Sequence, residues 1–285
     1  MPGFHLPYLA AAVNGLFAEH GLDVEILDPS GGPDNVVLVG RGDSDFALTS
    51  VNHYLSARAR HGVIAARFVA MVVQRSPVGA MVRSSSAFVS VADLAGARLG
   101  GDPENPQVIE FLASLEWRGF ARPALVELDN VSAREAMARG EVDGIIGLVD
   151  AMPRRRTQSG IDLRAIRVGR DDVYASGVIA SDGLADETVA QLRTAVGAAL
   201  EAQRDRPESG LDIMTARYAD ERTGDAPEGW RMTQEYVFTD GVPVGSMDAA
   251  TWRTTLDFLC RIRGLPVPDP ESVYRPQLTG APVRA

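Results

Sequence analysis

Hydrophobic positions recur along this chain with two periods that take turns. Residues 9–18 (LAAAVNGLFA) carry apolar side chains at helical spacing, and Gly21 falls where a helix C-cap belongs. Residues 22–27 (LDVEIL) switch to apolar–acidic alternation, which predicts a half-buried strand. A Pro- and Gly-rich loop at 28–33 leads to a helix over 36–41, with Asp34 or Asn35 as its cap. Residues 45–49 predict a short buried strand. A helix capped by Ser50 or Asn52 follows through Ala59, and residues 64–74 (IAARFVAMVVQ) predict a long strand.

The alternation continues with strands at 78–83, 98–100, 124–128 and 142–149. Between them the spacing predicts helices at 90–94, 107–118 and 132–139, the last closed by Gly140. Arg154, Arg155 and Arg156 read as a solvated helix face or turn. A strand at 178–181 precedes a long amphipathic helix over 186–204; from Arg206 onward the pattern is helical with Pro and Gly breaks, and 280–285 read as a frayed tail. Strands and helices in alternation predict an α/β layered fold.

Composition narrows the chemistry. At about 150 residues per domain, 285 residues make one large domain or two small ones. A formal charge of −10 lacks the basic footprint of a nucleic-acid binder. The longest apolar runs, such as residues 68–73, fall far short of the ~20 needed to span a membrane. A single cysteine, Cys260, excludes an internal disulfide and any Cys-rich metal site, and the four histidines have no HxxxH or HxH spacing, so no metal is expected. All 28 basic residues are arginine. Without lysine there is no Schiff-base chemistry and no phosphate-loop lysine. Residues 1–5 show neither the basic nor the apolar region of an export signal.

Certain motifs go further. His5-Leu6-Pro7-Tyr8 is followed by Gly15-Leu16-Phe17, by Gly21-Leu22-Asp23-Val24-Glu25, and by the run VGRGDSDF over 39–46. Later come VADLAGARLG over 91–100 and AMARGEVDG over 136–144. In their order and spacing over roughly residues 1–200 these resemble the solute-binding proteins of ABC transporters of the nitrate/sulfonate/thiamine-precursor group, which is similar also to the fungal thiamine-pyrimidine-precursor synthase. The resemblance implies a two-lobed periplasmic-binding-protein fold of type II, each lobe a mixed sheet flanked by helices, with ligand in the cleft between. Lobe one would hold residues 1–77 and 180–285, lobe two 78–179, with crossings near 74–78 and 174–179. It also implies a central lobe-one strand ahead of the loop that carries His5. Four residues are too few to supply it, and its loss would leave buried backbone groups unpaired at about 1–3 kcal/mol each. The expectation is therefore a reading frame that starts upstream, where an export signal or lipid anchor could also lie.

The candidate ligand contacts are His5, Tyr8, Thr49, Ser50, Asn52, His53, Gln74, Ser76, Asn105, Asp150 and Tyr174. His5 and Tyr8 fall in a loop that the group uses regularly. Thr49, Ser50, Asn52 and His53 end a strand and open a helix, where free backbone donors and hydroxyls meet. Gln74 and Ser76 sit at the first crossing, with Arg75 as a possible carboxylate or sulfonate clamp. Asn105 caps a helix after Asp102, Pro103 and Glu104; two carboxylates there, with Pro103 and Pro106 lacking N–H groups, disfavour a phosphorylated ligand. Asp150 ends a buried strand and would accept hydrogen bonds from an amine, and Tyr174 would stack on a flat ligand. Asn52, His53 and Asp150 are expected to line one crevice. Trp117, Trp230 and Trp252 are expected in the core.

Two functions remain. One is a solute-binding protein that delivers a small molecule, such as a flat nitrogen heterocycle, to an ABC permease, extracytoplasmic if an upstream signal exists. The other is a cytosolic enzyme on the same fold, with His53, Asp150 and Tyr8 as acid–base candidates. Against synthase chemistry, Thr49 stands where the resemblance places a pyridoxal-binding lysine, and residues 173–181 lack the cysteine cluster. No cofactor is expected. A sensor domain, the third reading, has no linker or signalling segment to support it.

Overall fold

The structure, a computed structural model, describes residues 3–27, 32–218 and 224–276. Two sheets organise them. The strands are β1 (Phe46–Ser50), β2 (Ala66–Val73), β3 (Val78–Arg83), β4 (Arg98–Gly101), β5 (Ala124–Glu127), β6 (Gly144–Leu148), β7 (Leu163–Arg167) and β8 (Ser176–Ser181). The first sheet has the order β1-β8-β2 and the second β5-β4-β6-β3-β7. The strands of the second sheet therefore lie between β2 and β8 in the sequence, and the chain passes from sheet to sheet at 74–77 and again at 168–175.

Period-two alternation sends the side chains of the first sheet to two different cores. Val69, Val72 and Val178 meet Leu6, Leu9, Leu192, Val196 and Trp230 from helices Leu6–Val13, Asp186–Arg204 and Ala226–Val237. Phe68, Met71 and Ile179 face the other way, onto Val36, Tyr54, Trp252, Leu256 and Cys260 from helices Gly32–Arg41, Val51–His61 and Ala249–Ile262. The second core is aromatic at its centre. Trp252 stacks on Tyr274 at 5.4 Å and 6°, and meets Phe68 and Tyr174 at 5.1 and 5.3 Å. The second sheet is mixed: β4 runs parallel to β5 and β6, while β3 is antiparallel to β6 and β7. Helix Pro106–Trp117 packs on one of its faces and Asn130–Arg139 on the other.

Most predicted elements are present within two or three residues of their expected bounds, and Asp186–Arg204 matches throughout. Four points differ. The helix expected over 9–18 is two, Leu6–Val13 and Leu16–Glu19, because Gly15 turns left-handed at φ +77°. Residues 22–27 alternate in burial as expected but form no strand, since among the described residues no strand lies beside them. Helix Gly32–Arg41 starts before Asp34, which sits in its first turn instead of capping it. β7 was not anticipated, because Arg164 and Arg167 interrupt its apolar pattern; both guanidiniums reach back to backbone carbonyls, of Ser84 at 2.9 Å and Ser76 at 2.8 Å. Trp230 and Trp252 are fully buried, but Trp117 is 59% exposed with Arg170 lying 4.0 Å over its ring. Residues 28–31 of the expected loop and the tail at 280–285 lie outside the described residues.

β8 is the tightest place in this architecture. A Cβ on Gly177 would lie 2.4 Å from the Ala70 carbonyl oxygen and 3.2 Å from Met71 Cα, both backbone atoms that cannot swing aside. Gly177→Ala is expected to cost about 2 kcal/mol or more in urea unfolding. Gly183→Ala, whose Cβ would meet only the Ser181 hydroxyl at 3.7 Å, is the neutral control.

Candidate functional site

A buried carboxyl gathers groups from both sheets at the point where the chain first passes between them. Glu110 lies on helix Pro106–Trp117, which packs on the second sheet, and is 3% exposed. One carboxyl oxygen accepts a hydrogen bond from the Ser76 hydroxyl in the crossing segment, and the other accepts from Asn52 Nδ2 at 2.8 Å. Asn52 stands on the first turn of helix Val51–His61, held there because Ser50 caps the helix by accepting the His53 N–H at 3.0 Å. Thr49, in β1, is buried. Burial pushes the Glu110 carboxyl above the usual range, against the hydrogen bonds from Ser76 and Asn52 and the nearby Arg167 charge.

The cluster is polar yet incomplete. Thr49 Oγ1 and Asn52 Oδ1 are buried without a hydrogen-bond partner. Such orphans are uncommon in folded proteins and call for an explanation. Asn52 Nδ2 is already committed to Glu110, so its spare capacity is that of an acceptor. The adjacent guanidiniums are also committed: Arg167 to the Ser76 carbonyl and to Asp171 at 2.7 Å, Arg263 to the Asn52 carbonyl at 3.2 Å and the Ser56 hydroxyl at 2.7 Å. The chemistry left over suits a neutral or cationic molecule that offers N–H groups.

The other predicted residues fall into separate surroundings. Gln74 turns inward, its amide donating to the carbonyls of Met71 and Ser246 at 2.8 and 3.0 Å. Arg75 donates to the Glu235 carbonyl and lies 5.9 Å over the Tyr236 ring. Asn105 caps its helix by accepting the Gln107 N–H at 2.9 Å, beside exposed Asp102 and Glu104. Tyr174 is packed edge-on against Trp252, and its hydroxyl accepts the Asp248 N–H at 2.8 Å. His53 packs against Gly32; burial, then the Arg263 charge, lowers its imidazole. His5 and Tyr8 line a cavity of about 180 Å³ beside β1. Asp150 accepts from the Thr233 hydroxyl at 3.0 Å while its other oxygen is buried without a partner. Asn52, His53 and Asp150 thus face three different neighbours, and among the described residues no hydrogen bond joins His53 to Asp150 or Tyr8.

Glu110 was missed from the sequence, although a signal existed. Val108, Phe111 and Leu115 mark the apolar stripe of its helix, and Glu110 lies on that stripe together with Ser114. A carboxylate there, amid buried side chains, must find partners. Among the described residues no group of three or more His, Cys, Asp or Glu is placed to hold a metal.

Comparison with known proteins defines the class first. The architecture is the periplasmic-binding-protein fold: the periplasmic aliphatic sulphonate binding protein SsuA from Escherichia coli superposes with a TM-score of 0.73, covering 99% of this chain and 93% of its own at 16% identity. Residues 3–209 match the family model described as NMT1/THI5 like, and the chain belongs to that family. Among curated relatives, the 4-amino-5-hydroxymethyl-2-methylpyrimidine phosphate synthase of Legionella pneumophila is 26% identical over 148 residues, 52% of this chain and 46% of its own. The formylaminopyrimidine-binding protein of Halalkalibacterium halodurans is 29% identical over 146 residues, 50% of this chain and 43% of its own. The matches span about half the length of these relatives.

Asp150 makes a testable electrostatic statement. Burial pushes its carboxyl from 3.8 up to about 6, partly offset by the Thr233 hydroxyl and the N–H groups of Asp150 and Ala151. The fold accepts the protonated form. Its stabilising contribution is therefore full below about pH 4 and is lost as pH rises through about 6. Burial acts oppositely on His5, holding its imidazole down at about 4, so the two groups oppose each other over much the same window. A difference measurement separates them. Asp150→Asn is expected to match the parent near pH 4 and to exceed it by up to about 3 kcal/mol above pH 7, read from urea midpoints across that range.

Proposed function

We propose that this protein is a solute-binding protein that takes a small amino-substituted nitrogen heterocycle between its two sheets and presents it to the permease of an ABC importer at the cell envelope. The observation that carries this reading is the Asn52–Ser76–Glu110 cluster, with the orphaned Thr49 hydroxyl three residues before Asn52. It draws on both sheets and on the crossing between them, and its unpartnered atoms are oxygens. A ligand that satisfied groups from both sides would favour a closed arrangement through differential affinity alone, which is all that capture and release require. The fold supports the binding role, and a relative named for binding a formylaminopyrimidine supports the heterocycle. The same acceptor-rich chemistry argues against a sulfonate, whose oxygens would face Glu110 and arginines already engaged. No helix among the described residues is long and apolar enough to cross a membrane.

A synthase activity is the competing reading, because several relatives carry that name. It would need reacting groups in mutual reach, whereas His53, Asp150 and Tyr8 have separate neighbours.

Calorimetry with 4-amino-5-hydroxymethyl-2-methylpyrimidine, its formylamino derivative and methanesulfonate tests the proposal, with mass analysis of the recovered ligand. An aminopyrimidine is expected to bind and return unchanged, and methanesulfonate to give no heat. Binding of the sulfonate alone, or conversion of the pyrimidine, refutes it. Thr49→Val separates function from stability. Removing an orphaned buried hydroxyl is expected to raise the stability of the empty protein by about 1 kcal/mol. The same change is expected to weaken pyrimidine binding about ten-fold, the equivalent of ~1.4 kcal/mol.

A further inference from the structure

Asp150 reaches from one sheet to the helix layer of the other. It lies in the short turn Val149–Ala151 that follows β6, in the second sheet. Among the described residues its side chain has one hydrogen-bond partner, the Thr233 hydroxyl at 3.0 Å, on helix Ala226–Val237 of the first sheet's layer. The neighbouring Val149 is buried in the same core as Trp230, Tyr236 and Val237, so apolar packing seals the contact. The polar atoms inside that seal are mismatched. Thr233 Oγ1 lies 3.0 Å from Asp150 Oδ2 and 2.9 Å from the Gly229 carbonyl, both acceptors, yet a hydroxyl has a single hydrogen to give. Asp150 Oδ1 is buried without a partner, and the nearby N–H groups of Asp150 and Ala151 close no hydrogen bond on it.

A proton on the carboxyl removes the mismatch. Asp150 O–H then donates to Thr233 Oγ1, and Thr233 donates to the Gly229 carbonyl, in one chain from the second sheet to a helix of the first. Loss of that proton turns the Thr233 hydrogen toward the carboxylate and leaves a charge inside an apolar seal. No cation is at hand to compensate it: among the described residues Asp150 makes no ion pair, and the charged groups on the elements packed against its turn face elsewhere. On helix Ala226–Val237, Glu228 and Arg231 pair with Arg156 and Glu208, while the Glu235 carbonyl and the Tyr236 ring hold Arg75. On helix Met152–Ser159, Arg155 donates to Gln158 at 3.4 Å and the Arg154 charge acts on Asp225. β3 sends Arg83 to the carbonyls of Met137 and Ala138, and β7 sends Arg164 to that of Ser84 and Arg167 to Asp171.

We propose that Asp150 and Thr233 form a protonation-gated latch: with its proton the carboxyl ties the second sheet to the helix layer of the first, and without it the contact parts and lets water reach the charge. The direction follows from the burial. In contact, burial holds the carboxyl up at about 6; parted and hydrated, it returns to the ordinary 3.8. The joined arrangement is therefore fully favoured below 3.8 and loses ground as pH rises through about 6. Between pH 5 and pH 8 these two values correspond to a rise of about ten-fold in the ratio of parted to joined protein. The latch does not depend on which molecule the protein binds, because it acts on the empty protein.

Distances between two spin labels on the empty protein test this. Val63→Cys, at a position 82% exposed just ahead of β2, and Val131→Cys, 54% exposed on helix Asn130–Arg139, place one label with each sheet. Cys260 is buried and stays unlabelled. The window of pH 5 to 8 lies above the titration of His5 at about 4. Within it the labelled parent is expected to shift toward a second, separated distance as pH rises, by about ten-fold in population ratio. Asp150→Asn, whose amide keeps an N–H on Thr233 at every pH, is expected to hold the parent's low-pH distribution throughout. Thr233→Val, which removes the bridging hydroxyl, is expected to raise the separated share already at pH 5. A parent distribution that ignores pH overturns the proposal, as does one that closes when pH rises. A shift that persists in Asp150→Asn also overturns it and would assign the effect to Glu110 or Asp225, whose burial raises them too. So would Asp150→Asn fixed at the separated distance, or Thr233→Val that titrates as the parent does.

Discussion

The molecule depends on the return of β8 into the first sheet. This strand enters after the whole second sheet has been built and pairs antiparallel with both β1 and β2. Its register places Ser176 opposite Ser50 on one side and Val73 on the other. The end of β1, the end of β2 and the second crossing are thereby brought to one level at one edge of the sheet. Asn52 and Ser76, well apart in sequence, emerge there side by side, and a helix of the second sheet supplies Glu110 between them. Backbone pairing thus does the positioning, and the side chains at the junction are free to carry chemistry. Gly177 is the local condition for this, since the neighbouring strand leaves no room for a Cβ.

Polar groups at that junction sit in conflict with their surroundings. Glu110 is a carboxyl whose burial favours the neutral form, as is Asp150 elsewhere in the fold, and Thr49 and Asn52 each hold a buried oxygen that no group among the described residues satisfies. A core under selection for stability alone would replace such groups with apolar ones of similar size. Local inconsistencies of this kind concentrate where a protein does something besides fold. The free Asn52 oxygen can only accept, the Thr49 hydroxyl can accept as well as donate, and the nearby cations are spoken for.

Much of this was legible in the sequence, for identifiable reasons. The alternation of periods gave the α/β class and nearly every element, because each strand between the crossings is bounded by Gly, Pro or a helix cap. The motifs over residues 1–200 gave the fold and the group, with the match to residues 3–209 covering the same stretch. Residues 22–27 show the limit of such reading. Their pattern is that of a strand and their burial alternates accordingly, yet a strand exists only if another lies beside it. β7 shows the converse, a strand hidden because its arginines reach the backbone of neighbouring segments instead of solvent. The site was half legible. Thr49, Asn52 and Ser76 stood out by their positions at a strand end, a helix start and a crossing. Glu110 did not, because a single carboxylate on an apolar helix face has no meaning until the facing element is known. Trp117 failed for a related reason, since a large ring in a helix reads as core until the structure shows Arg170, not the interior, covering it.

β1 connects the open part of the fold to the polar junction. Its inner edge is fixed by β8, residues along it line a cavity, and its last residues lead into the cap that holds Asn52. A strand paired on one side only is free to fray and twist at a level that a strand paired on both sides is not. The placement of Asn52 relative to Glu110 therefore depends on how β1 is held along its two edges. Hydrogen bonds of about 2.8 Å tolerate little displacement before they weaken.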